Sequence, residues 1–481
     1  MSIAQKATNS LIWSAVERFS VQGIQFLLGI VIARLLLPSD YGLIAMLNVF
    51  MAIAQTFVDS GFASALIQKN DCQEKDYSTV FYFNIAVSVL LYFFMYMVSP
   101  WIASFYQEPK LEIVTKVVGL SLIINSLGIV QQARFTIGLD FKRLAFVSLW
   151  SVVVSGVVGV YMAYVGWGVW ALVSQTLMFN LMRVLLLWLY SHWMPTLTFS
   201  MQSFKSLFSF GSKLLLSSLM HTLYVNLYTL IIGKRFASKD VGLYNRAFTL
   251  AQFPSSNLST VIIRAIYPIQ CQYKDDVEQL RSIFLKYLSM SCSLIFPMMV
   301  GLCVVAEPLV RIFLTDKWLP CVPFFQLMCI AFMFDPVTKI NNIILSVKGH
   351  TDYFLYAEFI KKAVAFAILF ASMPWGIIWM CAGLILYSIM DIVIIVHYSR
   401  KVINISLYSQ LKTLMPIFVL SAIMGLAMYL PVMLFSSPFL QLCVGLIIGL
   451  VMYVVLSSLL HIDFFRQIRN MLAEWKQDKT H

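Results

Sequence analysis

The chain is 481 residues long, and 60% of its residues are hydrophobic while 12% are charged, about half the charged fraction of an average soluble domain. A fold in water has no core large enough to bury this much apolar surface, so the composition excludes a soluble protein and makes lipid the solvent. The net charge of +12 is typical of basic loops on the cytoplasmic side of a membrane protein, and no nucleic acid partner is expected.

Fourteen apolar stretches are long enough to cross a bilayer, since about 20 apolar residues cover its hydrocarbon core. In chain order they lie at about 10–33, 41–61, 79–100, 113–133, 144–165, 168–190, 208–233, 241–263, 285–306, 322–346, 356–373, 376–397, 413–435 and 438–460. We therefore predict an all-α polytopic membrane protein with about fourteen transmembrane helices. The eight cysteines form no CxxC pair, so we expect neither a metal site nor a bound cofactor.

The distribution of lysine and arginine predicts the orientation of these helices. With the N-terminus in the cytoplasm, about two-thirds of the 34 basic residues fall in cytoplasmic segments or at their edges. Both termini are then cytoplasmic, which requires an even number of helices. The first apolar stretch contains Glu17 and Arg18 and is too long for the apolar region of a cleavable signal peptide, so we expect no such peptide.

An internal repeat divides the chain. Identical residues recur at a fixed offset of 200 positions, around a loop between two apolar stretches: Ile32/Ile232, Asp40/Asp240, Gly42/Gly242 and Leu43/Leu243. Positions 34 and 234, which are Arg34 and Lys234, both carry a positive charge. Repeats of membrane-spanning units are typical of transporters with the substrate between two halves. We predict an N-lobe at 1–200 with helices 1–6 and a C-lobe at 201–405 with helices 7–12. Residues 406–481 hold helices 13–14 and a basic tail, which is either an interfacial helix or a solvated end.

Several predicted helices carry a polar stripe. In the first stretch Ser14, Arg18, Gln22 and Gln25 share one face, and in the second Asn48, Gln55 and Asp59 do so. Similar stripes occur at 208–233, 241–263 and 322–346. Such stripes either bond neighbouring helices together or line a water-filled path, and the sequence leaves both explanations open.

Basic residues within or at the edges of the predicted helices outnumber acidic ones. Charge inside a membrane is costly, and an anionic substrate would supply the missing counter-charge. The candidate substrate-binding residues of a cationic cavity are Arg18, Arg134, Arg183, Lys213, Arg264 and Lys339. The candidates for ion coupling or charge pairing are Glu17, Asp59, Asp335 and Asp391. For each basic residue, snorkelling of the side chain to the membrane edge remains the competing explanation, and Asp335 with Lys339 has the spacing of an ion pair.

One run of residues carries a family resemblance. The segment Gly-Leu-Tyr-Asn-Arg-Ala-Phe-Thr-Leu-Ala-Gln-Phe-Pro at 242–254 resembles the eighth-helix signature of the polysaccharide transporter family, the Wzx-type flippases of the MOP superfamily. The segments at 35–42, 166–172, 267–268 and 307–318 are similar to further parts of that family, although Thr315 stands where a glycine is usual. The pattern is closest to the exporters of colanic and teichuronic acid, and it says little about the last two helices.

The resemblance implies a transporter, not an enzyme. It would move undecaprenyl-pyrophosphate-linked oligosaccharides across the bacterial cytoplasmic (inner) membrane for surface polysaccharides such as the O-antigen of lipopolysaccharide. Two six-helix lobes would work by alternating access around a cationic cavity. Its partners would be the lipid-linked oligosaccharide, membrane lipids and polysaccharide polymerase machinery. Because the membrane potential opposes outward movement of an anion, we expect a coupling cation, H⁺ or Na⁺.

Two other functions remain open at this point. A cation-coupled multidrug antiporter of the same superfamily would favour an acidic cavity, whereas bases outnumber acids here. A polytopic polysaccharide polymerase or ligase would need a sizeable extracytoplasmic loop with catalytic groups, and the predicted loops are short.

Overall fold

The computed structural model describes residues 3–59, 61–69 and 71–459, without the side chains at 3–12, 14–19, 210, 213 and 351. The predicted site residues Glu17, Arg18 and Lys213, and the basic tail at 461–481, lie outside the described side chains. The described residues form no strand, and their α-helices are α1 (Ile3–Leu35), α2 (Pro38–Asp59), α3 (Phe62–Gln68), α4 (Glu74–Tyr106), α5 (Lys110–Ser126), α6 (Ile129–Ile137), α7 (Phe141–Tyr164), α8 (Val169–Ser191), α9 (Met201–Arg235), α10 (Ser238–Gln272), α11 (Val277–Val304), α12 (Ala306–Phe313), α13 (Val322–Met333), α14 (Asp335–Val347), α15 (Thr351–Ser372), α16 (Ile377–Ile403), α17 (Leu407–Leu434) and α18 (Pro438–Leu459).

Each of the fourteen predicted stretches falls on one helix or on two consecutive helices. Within the described part of the chain, 11 helical runs are long and apolar enough to cross a membrane. The prediction of an α-helical, multi-pass membrane protein is confirmed, whereas the count of fourteen spans stays a prediction. The three other stretches lie on α1, which is described in part, on α10, which carries many polar side chains, and on α15, which carries four charged residues.

Two predicted spans are broken in the middle. The stretch at 113–133 forms α5 and α6, which are separated at Leu127 and Gly128. The stretch at 322–346 forms α13 and α14, and α14 begins with Asp335 and Pro336. Proline fits the start of a helix because the first N–H groups of a helix have no partner inside it. These breaks change the direction in which the following side chains point.

The chain folds as two compact units, Met1–Gly242 and Leu243–His481, called unit one and unit two below. Unit one holds α1–α9 and the first residues of α10. In it α7 packs on α1 and α8, α4 packs on α5, and α2 lies along α9. A core of buried residues joins α3, α4, α6 and α9 through Phe62, Leu66, Phe81, Val130 and Leu207. The predicted lobe boundary near residue 200 stays a prediction.

In unit two, α11 packs on α17, α17 packs on α18, and α16 packs on α13, α14 and α15. Met424, Met428 and Tyr453 form a buried cluster between α17, α18 and the end of α11. The Tyr453 hydroxyl donates a hydrogen bond to the carbonyl oxygen of Ser293 on α11. The last two helices are therefore packed into this unit through both apolar contacts and a buried hydrogen bond.

Unit two also buries a lysine. The side chain of Lys361 on α15 is only 2% exposed, and its Nζ lies 2.8 Å from Oδ1 of Asp391 on α16 and 3.4 Å from Oε1 of Glu358. Its Nζ also donates to Oδ1 of Asn342 on α14 at 3.4 Å. A charge away from water needs such partners. Lys361 on α15 therefore connects α14 and α16 through its contacts with Asn342 and Asp391.

We expect Lys361→Met to destabilise the protein by about 3–5 kcal/mol, because it leaves the Asp391 carboxylate buried without its cation. The double change Lys361→Met with Asp391→Leu removes both charges, so it should destabilise the protein less than Lys361→Met alone. Lys362→Met is the matched control, since Lys362 is half-buried and pairs of this kind contribute about 1 kcal/mol or less. Thermal unfolding of the purified protein in detergent checks this. Equal melting temperatures for the single and double variants would contradict it.

Candidate functional site

A polar cavity lies at the end of α2 in unit one. It consists of two adjoining spaces of about 260 Å³ and about 400 Å³ that share Asp59 and Gln132 in their walls. The smaller space is also lined by Gln55, Asn125 and Arg183. The larger one extends between α2, α3, α6 and α9. The smaller space is therefore surrounded by amide, carboxylate and guanidinium groups in a unit made of membrane-spanning helices.

The acidic wall of the cavity comes from α2. Gln55 and Asp59 are four residues apart, so they lie on one helix face, as their spacing predicts. Nε2 of Gln55 donates to Oδ1 of Asp59 at 2.9 Å. This bond holds the carboxylate of Asp59 toward the cavity and supplies one of the donors that a charged carboxylate needs in a membrane.

The basic wall comes from α6 and α8. Nη2 of Arg183 on α8 donates to Oε1 of Gln132 on α6 at 2.8 Å. The break between α5 and α6 allows Gln132 to face Arg183, and Arg183 lies close enough to Asp59 for their charges to interact. The cavity thus presents a guanidinium group and a carboxylate group toward one another, each held by a glutamine.

This arrangement can bind an anion with hydroxyl groups attached. A guanidinium group carries five N–H donors in a planar fork that matches the oxygens of a phosphate. The amides of Gln55, Asn125 and Gln132 can donate and accept hydrogen bonds, as sugar hydroxyls require. Gln132 and Asn125 were missed from the sequence. The tandem Gln131–Gln132 at the end of an otherwise apolar stretch was the signal that could have indicated Gln132.

Arg134 lies at the rim of the same unit and has partners there. Its Nη1 donates to both carboxylate oxygens of Glu74, at 3.2 Å and 3.4 Å. Its guanidinium carbon lies 5.1 Å from the Tyr77 ring centroid and 5.4 Å from that of Trp193. Nε1 of Trp193 donates to Oε2 of Glu74 at 2.5 Å. The charge of Arg134 is therefore matched by Glu74, and a role in binding substrate stays a prediction for it.

The remaining described candidates lie in unit two. Nζ of Lys339 lies 2.9 Å from Oδ2 of Asp335 on α14, which is the ion pair that their spacing suggests. Asp391 pairs with the buried Lys361, and Arg264 is exposed on α10. Among the described residues, no group of three or more His, Cys, Asp or Glu side chains could hold a metal ion.

Comparison with known proteins adds the family. A family model described as polysaccharide biosynthesis protein matches residues 31–323. The teichuronic acid biosynthesis protein TuaB of Bacillus subtilis (strain 168) is 26% identical over 438 residues, which cover 88% of this chain and 89% of that protein. The lipopolysaccharide biosynthesis protein WzxC of Escherichia coli (strain K12) is 25% identical over 417 residues, which cover 85% and 84%.

A solved structure with the same fold is the lipid II flippase MurJ in its inward closed conformation. The match has a TM-score of 0.75 at 14% identity and covers 95% of this chain and 100% of that chain. At this identity the likeness shows the fold alone, and it confirms the expected MOP flippase-like fold. Since the family model spans more than half of the chain, the protein belongs to the polysaccharide biosynthesis protein family, and the expected polysaccharide family is confirmed.

Proposed function

We propose that this protein is a flippase that moves undecaprenyl-pyrophosphate-linked oligosaccharides from the cytoplasmic to the outer leaflet of the bacterial cytoplasmic membrane, for surface polysaccharide synthesis. The observation that carries the proposal is Arg183, a guanidinium group held by Gln132 in a polar cavity among membrane helices. The family and the relatives named for teichuronic acid and lipopolysaccharide biosynthesis support the substrate class. We infer a transporter and not an enzyme.

In this proposal the pyrophosphate binds against Arg183. A cationic side chain inside a membrane costs about 2.5–3.5 kcal/mol on insertion scales, and before the substrate enters Asp59 and Gln132 would offset that cost. An entering pyrophosphate would replace Asp59 as the counter-charge of Arg183. The sugars would bond to the amides of Gln55, Asn125 and Gln132, while the polyprenyl chain stays in lipid.

Asp59 is then the residue that we propose for ion coupling. Its carboxylate repels a pyrophosphate in the same cavity unless it takes up a proton or binds a cation such as Na⁺. Substrate binding and cation uptake would therefore favour one another, which is a coupling between two ligands. Such coupling would supply the free energy needed to move an anion outward against the membrane potential.

The wider arrangement follows from the sequence. We propose two lobes at 1–200 and 201–405 that alternate in access to the cavity, with 406–481 as an accessory segment, both termini in the cytoplasm and polymerase machinery as a partner. Arg18, Lys213, Arg264 and Lys339 stay predicted contacts of the anionic headgroup. Glu17, Asp335 and Asp391 stay predicted partners in charge pairing or ion coupling.

Arg183→Ala should reduce flipping roughly tenfold to a hundredfold, because about 1.5–3 kcal/mol of charge-assisted hydrogen bonding is lost. Arg183→Lys keeps the positive charge but lacks the planar fork of N–H donors, so its flipping activity should lie between that of Arg183→Ala and that of the wild type. The measurement is surface polysaccharide in a flippase-deleted host whose repeat unit the wild-type protein accepts, at equal membrane abundance. Arg143→Ala is the control, because Arg143 forms an exposed pair with Asp140 outside the cavity. Full activity of Arg183→Ala would contradict the role of Arg183.

Asp59→Asn should remove the response to an ion gradient, because an amide takes up neither a proton nor a cation. In proteoliposomes, an imposed proton or sodium gradient should accelerate flipping by the wild-type protein and leave Asp59→Asn unchanged. Glu112→Gln serves as the control, since Glu112 forms a partly exposed pair with Lys116 outside the cavity and its loss should leave the gradient response intact. If Asp59→Asn responds to the gradient as the wild type does, another group performs the coupling.

A further inference from the structure

The buried face of α15 carries a lysine. Ala357, Lys361, Ala365 and Leu369 follow one another at intervals of four residues, and each is at most 2% exposed, so they lie on one side of the helix. Among the described side chains, Lys361 is the only lysine or arginine that is buried. Lysines of membrane helices commonly extend their flexible stems toward water. Lys361 instead directs its ammonium group into unit two.

Three oxygen atoms from three helices surround this ammonium group. Nζ lies 2.8 Å from Oδ1 of Asp391 on α16, 3.4 Å from Oε1 of Glu358 on α15 and 3.4 Å from Oδ1 of Asn342 on α14. The hydroxyl of Thr338, one turn before Asn342, donates to the carboxylate of Asp391. An ammonium group has three N–H donors and no acceptor, so three oxygens match its donors one to one.

The charges of the cluster balance. Lys361 and Lys362 carry two positive charges, while Glu358 and Asp391 carry two negative ones, and Nζ of Lys362 lies 3.5 Å from Oε2 of Glu358. Without the ammonium group of Lys361 the cluster would hold one excess negative charge among membrane-spanning helices, which is costly. One monovalent cation in its place would restore the balance, whereas a divalent cation would leave one excess positive charge.

We propose that the oxygens of Glu358, Asp391 and Asn342 form a site for one monovalent cation, and that the ammonium group of Lys361 is its resident cation. Carboxylate and amide oxygens are the ligands that hard cations prefer, and Na⁺ is such a cation. The ammonium group brings the same single charge on a covalent tether, so the site is filled without any free ion.

This tether determines which ions unit two can bind. A sodium ion entering beside the ammonium group would add a like charge at close range, so Lys361 excludes it. Asp391 then serves charge pairing with Lys361, and a coupling cation would have to bind at another residue. The proposal does not depend on the transport function above, because it concerns binding within unit two.

Removing the tethered ion should create a sodium site. Lys361→Ala leaves the three oxygens without their cation, so the purified full chain in detergent should melt several degrees lower in choline chloride and regain that stability in NaCl at equal ionic strength. The melting temperature should rise with NaCl concentration and level off, because a ligand that binds only the folded state stabilises it by mass action. All proteins in this experiment carry Asp59→Asn, so that a cation at that residue does not contribute.

Three variants in the same background are matched controls. Lys361→Met fills the space with an apolar side chain, so its melting temperature should not depend on the choice of salt. Lys362→Ala removes the neighbouring lysine, which lies outside the three-oxygen site, and should be equally insensitive. Lys361→Ala combined with Asp391→Asn lacks the carboxylate closest to the ammonium group and should lose most of the sodium response.

Equilibrium dialysis with radioactive sodium gives a second readout, in which Lys361→Ala should bind sodium in excess of the parent protein. Equal melting temperatures of Lys361→Ala in the two salts would overturn the proposal. Failure of that variant to fold in either salt would overturn it as well, because sodium would then not replace the ammonium group. A sodium response in the parent protein that Asp391→Asn abolishes would also contradict it, since a free cation would then bind beside the lysine.

Discussion

Charge is expensive in lipid, and the described part of this molecule is arranged around that cost. Lys361 meets Asp391, Lys339 meets Asp335, and Arg134 meets Glu74, each within ion-pair distance. Arg183 donates a hydrogen bond to Gln132 and lines, together with Asp59, the wall of a polar cavity. A guanidinium group at a cavity wall can bind the oxygens of an anion that enters there, and this placement distinguishes Arg183 from the other candidate basic residues whose side chains are described.

Much of the architecture could be predicted because it depends on local patterns. The length of the apolar stretches predicted the helices. The i, i+4 spacing predicted both the helix face shared by Gln55 and Asp59 and the ion pair of Asp335 with Lys339. Each of these features involves the residues of one helix.

What could not be predicted depends on contacts between residues far apart in the chain. The break after α5 directs Gln132 toward Arg183, 51 positions away. The periodicity of polar residues along a helix does not predict a pairing between residues so far apart in the chain. Lys361 likewise meets its partner Asp391 on the next helix, 30 positions along the chain. The sites at which the helices exchange hydrogen bonds and charges therefore required the structure.

The central claim is that the cavity recognises a pyrophosphate linked to a sugar, and one measurement tests it directly. Purified protein in proteoliposomes would be given the same oligosaccharide on a polyprenyl pyrophosphate and on an uncharged polyprenyl carrier. The account predicts rapid movement of the pyrophosphate-linked form between leaflets, slow movement of the uncharged form, and loss of the difference in Arg183→Ala. Equal rates for both carriers in the wild-type protein would contradict it.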